Sequence, residues 1–138
     1  MKFSANLGLL WSELPLLDRV YQAKEKNFDA IEFQFPYEVD ANKLKKAIDK
    51  INLPIIGINT IKGDVSKGDN GLNAIPSKVQ EARVAIDQAI EYAKVIGSKN
   101  IHFMCGITEQ NHNSLKTLVE NLQYAVSQLN DTNIGLVI

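Results

Sequence analysis

Apolar and polar residues alternate in five short segments of the chain, and between these segments apolar residues recur at helical spacing. The central alternating segment covers residues 30–35, where Ile31 and Phe33 point one way and Glu32 and Gln34 point the other. Inner strands of parallel sheets are usually apolar on both faces. Because a carboxylate is costly to bury without a partner, we expect the Glu32 face to border a hydrated, functional cavity.

The remaining segments complete a regular alternation of strands and helices. We predict strands at residues 2–7, 30–35, 55–59, 100–105 and 133–138. We predict helices at about residues 13–26, 41–51, 78–96 and 114–129, the last with Leu115, Leu118, Leu122, Ala125 and Leu129 facing the core. The order βαβαβαβαβ indicates a single α/β domain over residues 1–138, with a parallel sheet and right-handed crossovers.

Several helix ends carry sequence signals. Ser12 and Asp40 are suitable N-caps for the first and second helices. Ser77 and Gln80 form a capping-box pattern before the third helix, and Gly97 is suited to end it. The segment before that helix, residues 60–75, is a long loop, and ordered loops of this length are more often functional than idle.

Two architectures fit this order of elements. An open doubly wound sheet would be complete at this length, whereas a (β/α)8 barrel needs about 250 residues, so the chain would be its first four β/α units plus a fifth strand. Helices cover both faces of a doubly wound sheet, while a barrel turns one alternating set of residues into its lumen. That set is polar in four strands, with Ser4 and Asn6, Glu32 and Gln34, Asn59, and His102. We therefore favour the partial TIM barrel.

Composition narrows the functional classes. The 138 residues are 45% hydrophobic and 22% charged, and the net charge of −1 argues against a nucleic-acid surface built on bulk positive charge. No apolar run approaches the roughly 18 residues that span a bilayer, and no signal-peptide pattern opens the chain. The single cysteine, Cys105, excludes an internal disulfide and a cysteine-based zinc site. We expect a cytoplasmic protein without membrane or nucleic-acid partners.

Short motifs along the whole chain form a set that is specific in its order. They are Phe3-Ser4-Ala5-Asn6-Leu7, Ile31-Glu32-Phe33-Gln34-Phe35-Pro36-Tyr37, Gly63-Asp64, Gly71-Leu72, Ile75-Pro76, Tyr92-Ala93 with Gly97, and Asn121-Leu122-Gln123-Tyr124-Ala125. Together they resemble the hydroxypyruvate isomerase family, which belongs to the xylose isomerase-like TIM barrels. The resemblance implies an aldose–ketose type isomerisation of a small hydroxy-oxo acid, hydroxypyruvate to tartronate semialdehyde or an analogue, through an enediol.

The resemblance also implies a divalent metal, Mg²⁺ or Mn²⁺, and two glutamates that move the proton. A hard cation on oxygen ligands polarises the carbonyl, and a carboxylate tuned by its surroundings transfers the proton. In the family these groups lie on strands five to eight, so none can be assigned to this chain. We therefore expect no catalytic residue and no metal ligand here, and no isomerase activity from the isolated chain.

The resemblance does carry over the substrate-binding side of the barrel rim. The candidate residues are Asn6, Glu32, Asn59, Gly63, Asp64 and His102. Ordinary interpretations stay open for each of them. A strand glutamate can be solvated or salt-bridged, a strand histidine can be a hydrogen-bonded lumen residue, and asparagine, glycine and aspartate are common in turns.

Other interpretations also remain open. A half-barrel leaves two sheet edges and an open lumen face, which invite association with a second copy or with a partner half. A nucleotide- or flavin-binding domain needs a glycine-rich turn after the first strand, which residues 6–10 lack. A DNA-repair endonuclease of the same superfamily would need a histidine-rich metal set and a basic face, and the sequence offers neither. The expected ligand is a small hydroxy-oxo acid, and the expected assembly is a homo-oligomer or a pair of half-barrels.

Overall fold

Five parallel strands form the sheet, and they lie side by side in chain order. The computed structural model describes all residues from Met1 to Ile138. The strands are β1 (Ser4–Asn6), β2 (Ala30–Glu32), β3 (Ile55–Asn59), β4 (Asn100–His102) and β5 (Gly135–Val137). A doubly wound sheet reverses its strand order at a switch point, whereas consecutive order is that of a barrel wall. The predicted partial TIM barrel is confirmed, and the doubly wound alternative is wrong.

The helices that connect the strands pack on one face of the sheet. They are α1 (Leu16–Glu25), α2 (Ala41–Ile51), α3 (Val79–Ile96) and α4 (His112–Gln128), with short 3-10 helices at Pro36–Glu38, Val65–Lys67 and Pro76–Lys78. Each α-helix contacts the next one along the chain. None of them combines the length and the apolar composition that crossing a membrane requires.

One apolar core joins the helices to that face of the sheet. Its fully buried members include Ala5, Ile31, Ile58 and Ile101 from the strands and Val20, Leu44, Ile86 and Ala125 from the helices. Burying a leucine or isoleucine side chain contributes roughly 1.5–3 kcal/mol to folding, so this layer holds the wall together. The polar residues between them in the strands are half-buried on the opposite, helix-free face.

Helix starts were predicted with mixed success. Asp40 caps α2 as predicted, because its carboxylate accepts from a backbone N–H of the first turn at 2.9 Å. The prediction for Ser12 is wrong, since a turn forms there and α1 starts only after Pro15, whose backbone is extended. The Ser77–Gln80 capping box is also wrong. A 3-10 helix over Pro76–Lys78 leads into α3, and no side chain caps that helix.

Four strands, β1, β2, β4 and β5, are shorter than predicted, with three residues each. β2 and β4 are shorter because the chain leaves the sheet early at its C-terminal rim. Beyond β4 the backbone pairs with the long loop (residues 60–75) instead. The Met104 carbonyl accepts from the N–H groups of Leu72 and Asn73 at 3.0 and 3.2 Å, and the Cys105 carbonyl accepts from the next residue of the loop at 2.7 Å. The long loop is thereby fastened to the rim.

The predicted core stripe of α4 is wrong in its first turn. Leu115 is 61% exposed, whereas the last two members of the stripe are buried as predicted. The buried face of the first turns carries Ser114, Thr117 and Asn121 instead. Asn121 donates to a loop carbonyl at 2.9 Å, which explains why a polar side chain faces inward at this point.

Candidate functional site

Four of the polar residues predicted for the rim lie on the helix-free face of the sheet. Asn6 pairs in register with Glu32 across β1 and β2, and Asn59 pairs with His102 across β3 and β4. All four are half-buried, whereas the strand residues beside them on the other face are buried. We call these four residues the polar face. Glu32 thus lies away from the packed helices, as the barrel interpretation requires.

The polar face occupies two successive levels along the strands. Glu32 lies opposite Gly57 in β3, two residues before Asn59, so Asn6 and Glu32 form the level farther from the C-terminal rim. Gly57 carries no side chain, and an added Cβ there would meet only one backbone oxygen, at 3.8 Å. Space therefore remains beside the Glu32 carboxylate for another group.

The polar atoms of this face are only lightly engaged within the protein. The Asn6 side-chain oxygen accepts from the N–H of Gly8 at 3.0 Å, and the Asn59 amide makes a weak contact with the Met104 sulfur at 3.8 Å. The Glu32 carboxylate and the His102 imidazole take part in none of the side-chain hydrogen bonds or ion pairs. The Glu32 carboxylate, the His102 imidazole and the Asn6 amide N–H groups are therefore free to form further hydrogen bonds.

Two tyrosines support the rim beside Asn59, and sequence reasoning did not assign them this role. The Tyr37 hydroxyl donates to the Asn59 carbonyl, and its ring packs edge-on against Tyr92 with centroids 5.2 Å apart. Tyr92 donates to the carbonyls of Pro36 and Val39 at 2.9 and 2.7 Å. Burial, followed by the neighbouring Tyr92, raises the pKa of Tyr37, and burial raises the pKa of Tyr92 to about 12. Both phenols are thus neutral donors near neutral pH.

Gly63 and Asp64 lie apart from the polar face. They line a separate cavity of about 400 Å³ together with side chains of α3. Asp64 already accepts from the N–H and hydroxyl of Ser66 at 3.1 and 2.6 Å and pairs with Lys67 at 3.0 Å. The hydrogen bond from Ser66, followed by that from Lys67, lowers the pKa of Asp64. Substrate binding by Gly63 and Asp64 stays a prediction, and the structure does not bring them to the other four candidates.

A buried polar network at the rim was also missed. Asn73 donates from its amide to the Thr60 hydroxyl at 3.3 Å and to the Met104 carbonyl at 3.1 Å. The Thr60 hydroxyl accepts from the N–H of Met104 at 3.0 Å, and Asn121 donates to the Asn73 carbonyl at 2.9 Å. This network ties the ends of β3 and β4 to the long loop and α4. One feature of the sequence could have indicated this network: polar residues recur at helical spacing on one side of α4, at Ser114, Thr117 and Asn121.

A family model described as the xylose isomerase-like TIM barrel matches residues 20–138. The chain belongs to this family. It is 37% identical to a 2-oxo-tetronate isomerase of Haemophilus influenzae over 90% of the chain. It is 36% identical to the hydroxypyruvate isomerase of Escherichia coli over the full chain. The predicted resemblance to hydroxypyruvate isomerases is confirmed.

This xylose isomerase-like chain spans about half the length of the curated relatives it matches. It covers 49% of the Haemophilus influenzae protein and 55% of the Escherichia coli protein. A crystal structure from Brucella melitensis, described as an AP endonuclease of family 2, superposes with a TM-score of 0.90 at 34% identity, over 98% of this chain and 53% of that one. The barrel wall is therefore shared along nearly the whole chain.

The side chains of this xylose isomerase-like chain do not assemble a metal site of their own. No group of three or more His, Cys, Asp or Glu side chains is placed to hold an ion. On the polar face the ionisable groups are Glu32 and His102, whereas a hard divalent cation takes about six or more oxygen ligands. These residues by themselves do not fit the divalent metal that the family resemblance implies.

Most cationic side chains near the rim already form hydrogen bonds or ion pairs within the protein. Arg19 donates to three backbone carbonyls of the segment after β1, at distances of 2.7 to 2.9 Å. Lys67 and Lys78 are paired with aspartates of the long loop. Lys62 forms no ion pair, and its ammonium lies 4.9 Å from the centre of the Phe35 ring, three residues beyond the end of β2. Lys62 is therefore the rim cation that remains able to meet an anion.

Proposed function

We propose that the chain forms the substrate-binding half of a hydroxy-oxo acid isomerase of the hydroxypyruvate or 2-oxo-tetronate type. The observation that carries this proposal is the polar face, which gathers Asn6, Glu32, Asn59 and His102 on the open side of a barrel wall. The identity of 36–37% to isomerases with these two names supports it. Small hydroxy-oxo acids present hydroxyl and carbonyl oxygens that such side chains bind.

The role assigned to this chain is binding rather than proton transfer. The amides of Asn6 and Asn59 donate to oxygens of the substrate, and the carboxylate of Glu32 accepts from a hydroxyl. In a complete barrel, carboxylates and a Mg²⁺ or Mn²⁺ ion held outside these 138 residues would supply the isomerisation chemistry. The proposed location of the enzyme is the cytoplasm. The isolated chain would then be inactive.

Lys62 is the proposed partner of the substrate's carboxylate. An acid bound at the rim needs a cationic group, and the other cations there are occupied by carbonyls or by aspartates. The Phe35 ring orients the Lys62 ammonium without neutralising its charge. A charge-assisted hydrogen bond contributes about 1.5–3 kcal/mol, which corresponds to roughly 10- to 100-fold in affinity.

The assay compares the isolated chain with the chain joined to the C-terminal half of the Escherichia coli hydroxypyruvate isomerase, each with Mg²⁺ or Mn²⁺. We expect turnover of hydroxypyruvate or 2-oxo-tetronate by the joined barrel and none by the isolated chain. Lys62→Met should raise KM about tenfold, and Glu32→Gln should lower kcat/KM by a similar factor. Lys67→Met is the matched control and should leave both within about twofold.

Two results would contradict the proposal. Turnover by the isolated chain would refute its assignment as a binding half alone. A joined barrel that is folded by circular dichroism but turns over neither acid would refute the isomerase assignment. An unchanged KM for Lys62→Met in an active barrel would remove only the role of Lys62.

A non-catalytic half-barrel that associates with itself is the second candidate. It is favoured by β5, which pairs with β4 alone and leaves its outer edge open. Sedimentation of the isolated chain distinguishes the candidates, since a monomer at high micromolar concentration would count against self-association.

A further inference from the structure

The cavity of about 400 Å³ between the long loop and α3 combines apolar walls with an unpaired carboxylate. Ile61 and Leu72 of the long loop and Val84 of α3 supply the apolar lining, and the acidic residues Asp64 and Glu81 also border it. Asp64 is engaged by its neighbours in the loop, whereas the Glu81 side chain takes part in no hydrogen bond or ion pair. Apolar walls beside a free carboxylate suit the aliphatic stem and the terminal ammonium of a lysine.

The outer side of α3 continues this surface along the helix. Glu81, Val84, Gln88, Glu91 and Val95 are all exposed. With about 100° of rotation per residue, these five side chains fall within roughly 80° of the helix circumference. We call these five residues the α3 face. α3 has α2 on one side and α4 on the other, so neighbouring helices of the wall flank the α3 face without covering it.

α2 carries a stripe of positive charge on its exposed side. Lys43, Lys46 and Lys50 are exposed, form no ion pair and fall within roughly 60° of the helix circumference. We call these three residues the α2 stripe. Like charges one helical turn apart repel each other, and Lys43 lies in the first turn, where the helix dipole disfavours a cation. An acidic surface placed against the α2 stripe would relieve both effects.

We propose that the α2 stripe of one copy binds the α3 face of a second copy in a symmetric dimer. α2 and α3 each follow a strand of the same parallel wall, so both begin at the rim and run in the same direction. Lys43 and Glu81 are each the third residue of their helix, and they therefore lie at similar levels. A two-fold axis along the helices brings Lys43 of each copy to the cavity beside Glu81 of the other.

A second copy fits this surface better than an unrelated partner. The chain presents both complementary surfaces, and two-fold symmetry forms each contact between them twice. A polyanion such as nucleic acid would engage the α2 stripe alone and leave the two valines of the α3 face exposed. The net charge of −1 gives two copies little overall repulsion. The outer sides of the helices lie away from the polar face, so the dimer is compatible with either candidate function.

Charge reversal tests the proposed contact. Sedimentation velocity of the 138-residue chain over a series of concentrations measures its dimerisation. Lys43→Glu sets two acidic groups against each other at each contact, and Glu81→Lys sets two basic groups against each other. Each variant alone should dimerise at least about tenfold more weakly than the parent chain. Lys24→Glu, at an exposed and unpaired position of α1, carries the same change of charge and should alter dimerisation less than about twofold.

A mixture of the two variants supplies the sharper measurement. When Lys43→Glu and Glu81→Lys chains pair with each other, every contact again joins opposite charges. An equimolar mixture should therefore recover the dimerisation of the parent chain within about twofold. Recovery supports the proposal directly, because mixing cannot restore a variant that has lost its fold.

Each other outcome overturns the proposal. A parent chain that stays monomeric at high micromolar concentration has no such dimer. A dimer that both charge reversals leave intact forms through another surface, such as the open edge of β5. Two weakened variants, both folded by circular dichroism, whose mixture stays monomeric would contradict the pairing of Lys43 with Glu81. Isomerase activity is measured separately and decides only the proposed function.

Discussion

At the residue scale, the ion pair between Asp69 and Lys78 joins the long loop to the start of α3. The Asp69 carboxylate, whose side chain is 7% exposed, accepts from the Lys78 ammonium at 2.5 and 2.6 Å and from the N–H of Asp64 at 2.8 Å. The hydrogen bond from Lys78 lowers the pKa of Asp69, and the same bond raises the pKa of Lys78. The loop therefore depends on both groups being charged.

This pair predicts an acid-sensitive contribution to stability. Because the folded-state pKa of Asp69 is lowered, its stabilisation is fully present above the unfolded value of about 3.9 and is lost as the pH falls through the folded value. The pKa of Lys78 is raised, so the stabilisation from its ammonium is fully present below the unfolded value of about 10.4 and is lost as the pH rises through the folded value. We expect Asp69→Asn to lower the Tm at pH 7 by about 4 °C or more, and to weaken the fall of Tm below pH about 4.

Glu91→Gln is the matched control for that measurement, since Glu91 pairs with Lys94 on the solvent side of α3. Exposed pairs of this kind contribute about 0–1 kcal/mol, so its Tm should stay close to that of the parent chain. Equal Tm values for Asp69→Asn and the parent across the acid range would contradict the prediction.

Strand alternation revealed some functional candidates and missed others for a physical reason. Glu32 and His102 stand out because a polar side chain interrupts an apolar strand, which is a local feature of the sequence. The buried Asn121 side chain donates to the backbone carbonyl of Asn73, which lies 48 positions earlier in the chain. No local pattern could predict that contact, because the partner is brought near only by the packing of α4 on the rim.

At the scale of elements, the long loop and the segment after β4 approach each other through two glycines. Gly71 has φ +113°, and a Cβ there would lie 2.4 Å from the Met104 carbonyl oxygen. Gly106 has φ +97°, and a Cβ there would lie 2.4 Å from the Gly71 carbonyl oxygen. Both the left-handed backbone and the close approach require the absence of a side chain.

Replacement of Gly71 tests this approach. Gly71→Ala should destabilise the chain by about 2–3 kcal/mol in urea unfolding, because a backbone clash adds to the strain of positive φ. Gly68→Ala is the control: its φ is +87°, but a Cβ there meets nothing within 4 Å, so only the strain applies. We expect about 1 kcal/mol for this control. If the two variants unfolded at the same urea concentration, the close approach would not limit stability.

Periodicity predicted the existence and order of the helices and strands but not all of their ends. α2 starts where Asp40 predicts, because the cap is a contact within one turn. The start of α3 lies within one residue of the prediction, but the predicted capping box is wrong. The residues before α3 form a 3-10 helix, in which Lys78 pairs with Asp69 of the long loop. Ends governed by local hydrogen bonds are readable from sequence, and ends governed by tertiary contacts are not.

At the scale of the whole molecule, the wall has a protected interior and two open edges. β3 is paired on both sides and packed on the helices, whereas β5 is paired on one side only. The alternation of polar and apolar residues predicted that one face of the sheet would be packed and the other open. The share of the relatives' length that the chain spans, by contrast, is known only from comparison with them.

This asymmetry predicts a gradient of hydrogen exchange. We expect the amides of Ile58 and Ile101 in the isolated chain to exchange at least about 100-fold more slowly than those of β5. In the chain joined to the C-terminal half of the Escherichia coli hydroxypyruvate isomerase, the β5 amides should exchange more slowly, because their strand would then be paired on both sides. Equal protection of the amides from exchange in all five strands of the isolated chain would contradict this prediction.

The consecutive strand order also bears on how the chain acquires its structure during synthesis. Every strand pairs only with strands made just before or just after it. No early segment has to wait for a distant one, so each β/α unit can settle on its predecessor while the ribosome is still adding the next. A closed ring must also bring its last strand back to its first, a long-range step that none of the pairings among these five strands requires.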